Sequence, residues 1–430
     1  EKTHERIILL KMINHYLRKQ KMDKIAKQFL ELDNLSEMMS ELDPRCPGKV
    51  KHSARTILLI AICGIFANCE TWNEIAEYGY SKKEFFKRFI PELEHTPSHD
   101  TIRRFFYIIP STMLEALYRE WARNYSPGTF TDTRLRHIAI DGKCIRSAGC
   151  IKSILGCACE EPEEDDSPAV RVHMVSAYSV DENLSLGQEQ VNEKSNEITA
   201  QKELLKHIEI GTGDLITMDA MGTQRENAQI ITERGADYIF IVKGNQKKLY
   251  RTVKEVVEDE FPYGVLKRSD RNDKFYEYTE NDHGYAVRRT CYCVGEKLLL
   301  GKLCDKWPGI RTVGMVKTYR RNNKTGEETT LTQYFITSLG KDAEAITNFK
   351  RRHWEIENGL HRTLDVVFGE DLSRKKMNSA VNYSLITKMA LAVLKNNKDK
   401  IPVKRKRLKA GWDDDYMENL VLEFIKGYAK

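Results

Sequence analysis

Two short apolar segments each end in an aspartate, and this pair limits the possible folds more than any other feature. His137–Asp141 and Leu215–Asp219 have the length and the apolar content of buried strands. A single aspartate at a strand end is most simply a turn former or a helix cap. Two of them, on adjacent strands of one sheet, can bring both carboxylates to the same region of its edge. The sequence therefore predicts an α/β core with acidic side chains gathered at one place.

The segments that follow the first aspartate predict a mixed α/β domain. Val172–Val180 and Leu184–Val191 have the pattern of consecutive antiparallel strands, and Tyr238–Lys243 has the apolar content of a further core strand. Glu197–Ile208 and Gln224–Arg234 have the apolar spacing of helices. Three strands followed by helix, strand, helix and strand is the order of a ribonuclease H-like core. We therefore predict a ribonuclease H-like mixed sheet with flanking helices.

The remaining segments predict a helical region before this core and more strands after it. Apolar residues at three- and four-residue spacing predict helices in Arg6–Leu17, Ile57–Cys69, Trp72–Tyr78, Glu84–Phe89 and Met113–Tyr118. Strands are predicted in Phe275–Tyr278, Tyr285–Val294, Arg311–Arg320 and Thr330–Ser338, with a hairpin turn at Asn322–Gly326. The predicted domains are an all-helical N-terminal domain (1–132), the first part of the α/β domain (133–261), a β-rich insertion (262–338), a glutamate-bearing helix with closing helices (339–400) and a basic C-terminal segment (401–430).

Composition and charge narrow the class of protein. The chain has 430 residues, 31% of them charged, and a formal net charge of +6. Only local clusters of cations can therefore favour a polyanionic partner. The longest apolar run, Ile57–Ala67, is shorter than the roughly 20 residues that span a bilayer, and the first residues are charged rather than typical of a signal peptide. We expect a cytoplasmic protein with no membrane partner.

Ten cysteines are spread along the chain, which fits free thiols in a reducing compartment. Cys144, Cys150, Cys157 and Cys159 lie close together, and the acidic, proline-interrupted segment beside them should be an exposed loop. Four thiolates could ligate zinc, but their spacing matches no paired C-x2-C motif. Free thiols in a loop and a zinc site both stay open as interpretations.

A third acidic side chain is predicted on a helix. Apolar spacing predicts one long helix from Ala343 to Val367. Helical geometry puts His353, Glu357 and His361 on one face of it, beside an apolar stripe that includes Trp354. Glu357 therefore emerges on the polar edge of a packed helix, between two imidazoles.

These three carboxylates have the chemistry of a metal site for phosphodiester cleavage. Cleavage and transfer by two divalent ions needs carboxylates that converge, so that ions about 4 Å apart hold the attacking and leaving oxygens. Magnesium requires oxygen ligands, which selects aspartate and glutamate. Asp141, Asp219 and Glu357 are therefore the candidate catalytic residues and metal ligands.

Basic and polar residues near the carboxylates and in two other places are candidate DNA contacts. The turn Thr96–Asp100 precedes a predicted helix that carries Arg103 and Arg104 near its start, as in the reading helix of a helix-turn-helix. The densest basic run, Lys404–Lys409, can bind phosphates. A solvated helix face or tail explains both features as well. The full set of DNA-contact candidates is Arg103, Arg104, Lys143, Arg146, Lys243, Asn245, Arg352, His361, Lys404, Arg405, Lys406 and Arg407.

Four segments, taken in order, resemble those of the H-repeat-associated family of insertion-sequence transposases. They are Ala139–Lys143, Thr217–Gln224, Val242–Gln246 and Arg352–His361, and the likeness runs from about Thr56 to Glu423. The resemblance implies a ribonuclease H-like catalytic domain whose triad is Asp141, Asp219 and Glu357 and which uses two Mg²⁺ or Mn²⁺ ions. It also implies that the protein cleaves double-stranded DNA at element ends and transfers the 3′ hydroxyls into target DNA.

Two other functions stay open on the sequence alone. A domesticated relative would keep the fold and bind DNA as a regulator, and a stand-alone metal-dependent nuclease would cut DNA without joining it. Transposition must bring two DNA ends together, so a transposase is expected to act as a homodimer on DNA and to associate with the bacterial nucleoid. An assay that follows both cleavage and joining distinguishes the three functions.

Overall fold

The computed structural model describes residues 43–125, 135–145, 172–191, 196–261, 273–282, 284–295, 300–373, 375–376 and 378–428. Contacts divide the chain into two compact units. We call them the helical unit (described residues up to 125 and from 364 onward) and the sheet unit (described residues from 135 to 363). Within these ranges, no helix is long and apolar enough to cross a membrane. The predicted helix Arg6–Leu17 and the candidate residues Arg146, Cys150, Cys157 and Cys159 lie outside the described residues.

The described part of the sheet unit contains one nine-stranded mixed sheet, in the order β3-β2-β1-β4-β5-β9-β8-β7-β6. The strands are β1 Arg136–Ile145, β2 Val172–Ser179, β3 Leu184–Gln190, β4 Asp214–Met218, β5 Asp237–Val242, β6 Phe275–Asp282, β7 Tyr285–Val294, β8 Thr312–Asn322 and β9 Glu328–Thr337. β1, β2 and β3 are antiparallel neighbours, whereas β1, β4 and β5 are parallel. The order β3-β2-β1-β4-β5 confirms the predicted ribonuclease H-like fold class.

The strands predicted after the core are present and extend this same sheet. β6, β7, β8 and β9 pair antiparallel with one another, and β9 joins the core by pairing with β5 from Ile239↔Thr337 to Val242↔Tyr334. The predicted hairpin turn connects β8 to β9, with Gly326 at a φ of 72° that suits glycine. The predicted domain boundaries themselves stay predictions.

The helices of the described residues are α1 Ala54–Phe66, α2 Trp72–Ser81, α3 Lys83–Phe86, α4 His99–Ile108, α5 Ser111–Tyr125, α6 Glu197–His207, α7 Arg225–Glu233, α8 Lys247–Glu260, α9 Lys302–Lys306, α10 Ala343–Arg352, α11 Arg362–Phe368, α12 Asn378–Asn396, α13 Val403–Trp412 and α14 Asp414–Ile425. In the helical unit, α1 and α12 are buried along almost their whole length, which explains why the run Ile57–Ala67 is so apolar. The capped turn predicted before α4 is confirmed, because Ser98 Oγ accepts a hydrogen bond from the Thr101 N–H at 3.3 Å.

Side chains of the core strands alternate between two faces of the sheet, as the two-residue repeat of a strand requires. One face carries Ile140 and Ile216 and packs against apolar residues of α6, α7 and α8. The other face carries Leu215 and Ile239 and packs against α10 through Ile346. Odd-numbered residues of β1 and β4 therefore face α10, which sets the side of the sheet on which polar residues at the ends of these strands emerge.

Candidate active site

Asp141 and Asp219 occupy equivalent positions on the neighbouring strands β1 and β4. The last parallel pair between β1 and β4 is Ile140↔Met218, and Asp141 and Asp219 are the next residues on each strand. β1 does not end at Asp141, as the sequence predicted, but continues to Ile145, because its other edge stays paired with β2. Both aspartates thus occupy equivalent positions just beyond the last parallel pair, on the α10 face.

The turn after β4 orients Asp219. Its Oδ1 accepts hydrogen bonds from the backbone N–H groups of Met221 at 2.8 Å and Gly222 at 3.3 Å. Asn245, a predicted DNA contact, donates its side-chain amide to the carbonyl oxygen of Ala220 at 2.9 Å. Asn245 therefore supports the turn that carries the aspartate.

Glu357 lies on a widened helical turn, and the prediction of one continuous helix was wrong. α10 ends at Arg352, and a π-helical turn covers Ile356–His361 before α11 begins. Its signature is the backbone N–H of Arg362, which donates to the carbonyl of Glu357, five residues back. A π turn inserts a residue into the helical repeat and rotates every side chain beyond it, and such turns are frequent at functional sites.

Two residues in and next to this turn have environments that differ from the helical prediction. His361 is buried, and its Nδ1 lies 3.8 Å from Oδ2 of Asp141, while its carbonyl accepts from Nζ of Lys143 at 3.5 Å. Trp354 is 57% exposed, so it does not belong to the apolar stripe in which the sequence analysis put it. Helical spacing therefore put His361 beside Glu357 but predicted neither its contact with Asp141 nor the exposure of Trp354.

All three candidate acids line one pocket, within the sheet unit. The lining comes from the ends of β1, β4 and β5, from β9 and from the segment between α10 and the π turn. It consists of Asp141, Thr217, Met218, Asp219, Ile239, Ile241, Lys243, Gln333, Lys350, His353, Trp354, Ile356 and Glu357. The structure thus brings Asp141, Asp219 and Glu357 together, although 138 positions separate Asp219 from Glu357 (357 − 219) in the chain.

The electrostatics of Asp141 reflect this crowding. Burial raises its pKa to about 7, and the negative charges of Asp219, Glu197 and Glu357 act in the same direction, while the backbone N–H of Gly142 opposes them. Carboxylates that repel one another in a partly buried pocket are stabilised by a cation placed between them. The pocket therefore has the charge of a cation-binding site.

The donor set fits hard divalent ions. Carboxylate oxygens are the ligands that Mg²⁺ and Mn²⁺ prefer. Among the described residues, no three His, Cys, Asp or Glu side chains are already grouped as closely as a bound ion requires. The carboxylates of this pocket nevertheless have the chemistry of magnesium or manganese ligands.

A fourth carboxylate, which has no functional signal in the sequence, lies beside the pocket. Glu197 at the start of α6 approaches β1 so closely that a Cβ at Gly142 would lie 2.8 Å from its carboxyl carbon. Its Oε2 is 3.5 Å from Nε2 of His173, and burial together with the charge of Asp219 raises its pKa. From sequence, an acid in the first turn of a helix is simply a favourable partner for the helix dipole.

Two lysines line the pocket. Lys243 is exposed and follows β5 directly, as predicted. Lys350 donates to Oε1 of Gln333 at 2.8 Å, and burial lowers its pKa to about 7. Lys243 is therefore the more accessible of the two to an anionic partner.

Arginines predicted to contact DNA take part in ion pairs within the protein. Arg352 lies 2.8 Å from Asp181, so its guanidinium is partly engaged. On α4, Arg103 and Arg104 both approach Asp100, at 3.0 and 3.5 Å, yet their side chains remain 43% and 67% exposed. The α4 pair is thus accessible to a partner, and Arg352 is less so.

The basic run at the start of α13 divides into two pairs. Lys404 and Arg405 are exposed, whereas Lys406 and Arg407 are buried. Lys406 donates to the carbonyls of Leu394 and Asn397, and Arg407 donates to main-chain carbonyls of Ile65, Val367 and Cys69. The prediction that all four contact DNA needs correction, because the second pair is occupied inside the helical unit.

Comparison with protein families gives two matches. Residues 36–122 match the family described as DDE_Tnp_1-associated. Residues 132–393, more than half of the chain, match the family described as transposase DDE domain. The second match contains Asp141, Asp219 and Glu357.

Similar proteins come from Escherichia coli. The chain is 34% identical over 400 residues to "Putative transposase YncI" of strain O157:H7, covering 91% of this chain and 95% of that protein. It is 32% identical to "H repeat-associated putative transposase YhhI" of strain K12, covering 91% of this chain and 98% of that protein. A solved structure, "Cryo-EM structure of piggyBac transposase synaptic complex with hairpin DNA (SNHP)", aligns with 93% of this chain and 81% of that chain at 10% identity and a TM-score of 0.36. A TM-score of this size supports no inference.

Proposed function

The chain belongs to the transposase DDE domain family of enzymes that act on DNA, and on this premise we propose that it cleaves DNA at element ends and transfers the new 3′ ends into target DNA. The observation that carries the proposal is the shared pocket of Asp141, Asp219 and Glu357. The family implies divalent-metal dependence in general; we propose two Mg²⁺ or Mn²⁺ ions as the cofactors.

The chain's own residues have distinct tasks in this proposal. Asp141 and Asp219, one step beyond the β1–β4 pairing, would hold the ions from the sheet side, and Glu357 would hold them from the π turn. When bound, two such ions activate water or a 3′ hydroxyl and stabilise the leaving oxygen. Lys243 would neutralise a phosphate next to the scissile bond. No protein nucleophile is needed.

DNA contacts away from the pocket are proposed on the exposed cations. On α4, Arg103 and Arg104 are accessible enough to reach phosphates or base edges, and Lys404 and Arg405 offer a second exposed pair. The partner is double-stranded DNA, both as element ends and as target. Because two ends must be joined in one reaction, we propose that the protein acts as a homodimer on DNA.

The test replaces each acid by its amide. We expect Asp141→Asn, Asp219→Asn and Glu357→Gln each to abolish cleavage of DNA that carries the inverted repeats flanking the gene. DNA binding should persist, because each change removes a ligand charge with little change of shape. Cleavage and joining are followed on gels, and binding by fluorescence anisotropy.

Glu355→Gln is the matched control. Glu355 lies two residues before Glu357, is half-exposed and contacts Arg352 at 3.5 Å, but does not line the pocket. This variant should cut and join like the wild type. If any of the three acid variants cleaves at the normal rate, that residue leaves the proposed site. DNA binding without cleavage by the wild type would favour a regulator, and cleavage without joining would favour a nuclease.

A further inference from the structure

Three side chains form a continuous hydrogen-bonded relay that reaches the pocket wall. Nε2 of His137 lies 2.8 Å from Oγ1 of Thr217, and the same oxygen lies 2.8 Å from Nδ1 of His353. His137 and Thr217 are buried on β1 and β4, at 0% and 2% exposure, and both Thr217 and His353 line the pocket. The relay therefore runs from the interior of the sheet to the pocket wall.

The hydrogens of the relay can be assigned by counting donors. Burial lowers the pKa of His137 to about 3, so its ring is neutral and carries one N–H. The hydroxyl of Thr217 has a single hydrogen. It can therefore donate to one ring only, and if it accepted from both rings its own buried hydrogen would lack an acceptor among the described residues.

His137 decides the direction of the relay. Its Nδ1 is buried and has no hydrogen-bond partner among the described residues, so Nε2 is its hydrogen-bonded ring nitrogen. Folded proteins rarely leave a buried N–H unpaired. The ring hydrogen of His137 accordingly belongs on Nε2, where it donates to Thr217. Thr217 then donates its own hydrogen to Nδ1 of His353.

We propose that this relay fixes His353 as the neutral tautomer with its hydrogen on Nε2, so that this wall of the pocket offers a hydrogen-bond donor and no nitrogen ligand. Since Nδ1 is turned to Thr217, Nε2 is the nitrogen left for the pocket. An N–H suits a carboxylate or phosphate oxygen. A ring nitrogen that carries a hydrogen cannot ligate a metal ion.

The relay would make Thr217 a specificity-determining residue for the metal. Imidazole nitrogen suits zinc, whereas carboxylate oxygen suits magnesium and manganese. A fixed Nε2–H withholds a nitrogen ligand from an ion held by Asp219 and Glu357, and so disfavours zinc. This part of the inference rests on the carboxylate metal site of the proposed function.

The first test needs neither metal nor DNA and is made on the full wild-type chain. Protein labelled with ¹⁵N-histidine is studied by long-range ¹H–¹⁵N correlation NMR, which distinguishes a protonated from an unprotonated ring nitrogen. His353→Gln identifies the signals. We expect a protonated Nε2 and an unprotonated Nδ1 at His353. The opposite pattern would overturn the proposal and leave the proposed catalytic acids untouched.

The second test compares Thr217→Val, which removes the hydroxyl and keeps the shape, with Thr217→Ser, which keeps the hydroxyl. In Thr217→Val the tautomer of His353 is no longer fixed, so Nε2 can present its lone pair. We expect Thr217→Val to bind Zn²⁺ about tenfold more tightly than Thr217→Ser in calorimetric titration, the scale typical of residues that orient ligands.

A double variant separates the metal-ligand role of His353 from general loosening of the pocket. Thr217→Val combined with His353→Ala should bind zinc no more tightly than Thr217→Ser. Equal zinc affinity in Thr217→Val and Thr217→Ser, or a gain that survives the loss of His353, would overturn the specificity role. If Thr217→Val does not fold, the NMR experiment on the wild type still decides the tautomer.

Discussion

The helical unit and the sheet unit differ in whether their buried charges have compensating partners. In the helical unit, the guanidinium of Arg407 is fully buried and meets several main-chain carbonyls, including that of Ile65 at 2.9 Å. In the sheet unit, Asp141 is partly buried among Asp219, Glu197 and Glu357, which repel it. A buried charge that has hydrogen-bond partners is compatible with a stable fold. Like charges held close together destabilise the fold unless a counter-ion is bound. This difference separates structural charge from candidate functional charge.

The largest change in stability is expected when the buried, hydrogen-bonded guanidinium of Arg407 is removed. Arg407→Ala would leave the carbonyls of Ile65, Val367 and Cys69 without their donor and would remove packing over the Phe368 ring, 4.2 Å away. We expect the free energy of unfolding to fall by about 3 kcal/mol or more, because each unsatisfied buried group costs about 1–3 kcal/mol. Urea denaturation of the full chain measures the change.

Arg405→Ala is the control for this prediction. Arg405 lies two residues earlier in the same helix and is exposed. Its removal should change the free energy of unfolding by less than about 0.5 kcal/mol. Similar losses in the two variants would show that Arg407 holds no special structural role, and would remove the contrast between the two units.

Removal of the Asp141 carboxylate is expected to raise the free energy of unfolding rather than lower it. The pKa of Asp141 is raised from 3.8 to about 7. Below pH 4 the carboxyl is protonated in both folded and unfolded protein. Between pH 4 and 7 the unfolded chain releases the proton while the folded chain keeps it, so stability falls as the pH rises, and the whole loss remains above pH 7.

Asp141→Asn removes the ionisable group and with it this pH-dependent loss of stability. In metal-free protein we expect the variant to exceed the wild type by about 1–3 kcal/mol at pH 8, since one pKa unit corresponds to about 1.4 kcal/mol and partial exposure reduces the effect. The advantage should fade towards pH 4. Thermal unfolding with a chelator, at pH 4.5, 6 and 8, measures it. A difference that does not vary with pH would mean that shape rather than charge distinguishes the two side chains.

Local sequence pattern was enough to predict the paired aspartates of the sheet unit, but not which cations of the helical unit are buried. Asp141 and Asp219 could be paired because each follows an apolar strand, and the parallel register then aligns them. The basic run of α13 could not be divided from sequence. Which of its cations are buried depends on carbonyls far away in the chain, such as that of Ile65, which accepts from Arg407.

The π turn and the fourth carboxylate were missed for similar reasons. Sequence spacing assumes an unbroken helix with i to i+4 hydrogen bonds. It therefore predicted that Glu357 lies on a helix, but not that His361 is buried or that Trp354 is exposed. Glu197 carries no sequence signal beyond that of an acid at a helix start. Only the sheet register and the approach of α6 to β1 bring it to Asp141.

The smallest expected effect tests whether Glu197 belongs to the crowded group. A Cβ added at Gly142 would meet the Glu197 carboxyl group at 2.8 Å, and Gly142 has no unusual φ that would itself penalise alanine. Gly142→Ala should therefore cost no more than about 1 kcal/mol of unfolding free energy, because the atoms it meets are the far end of a flexible side chain that can shift. In a Glu197→Ala background the same change should cost less, with a coupling of at least about 0.5 kcal/mol in a double-mutant cycle. Additive costs would mean that Glu197 does not press against β1, and the carboxylate group would then consist of the three predicted acids alone.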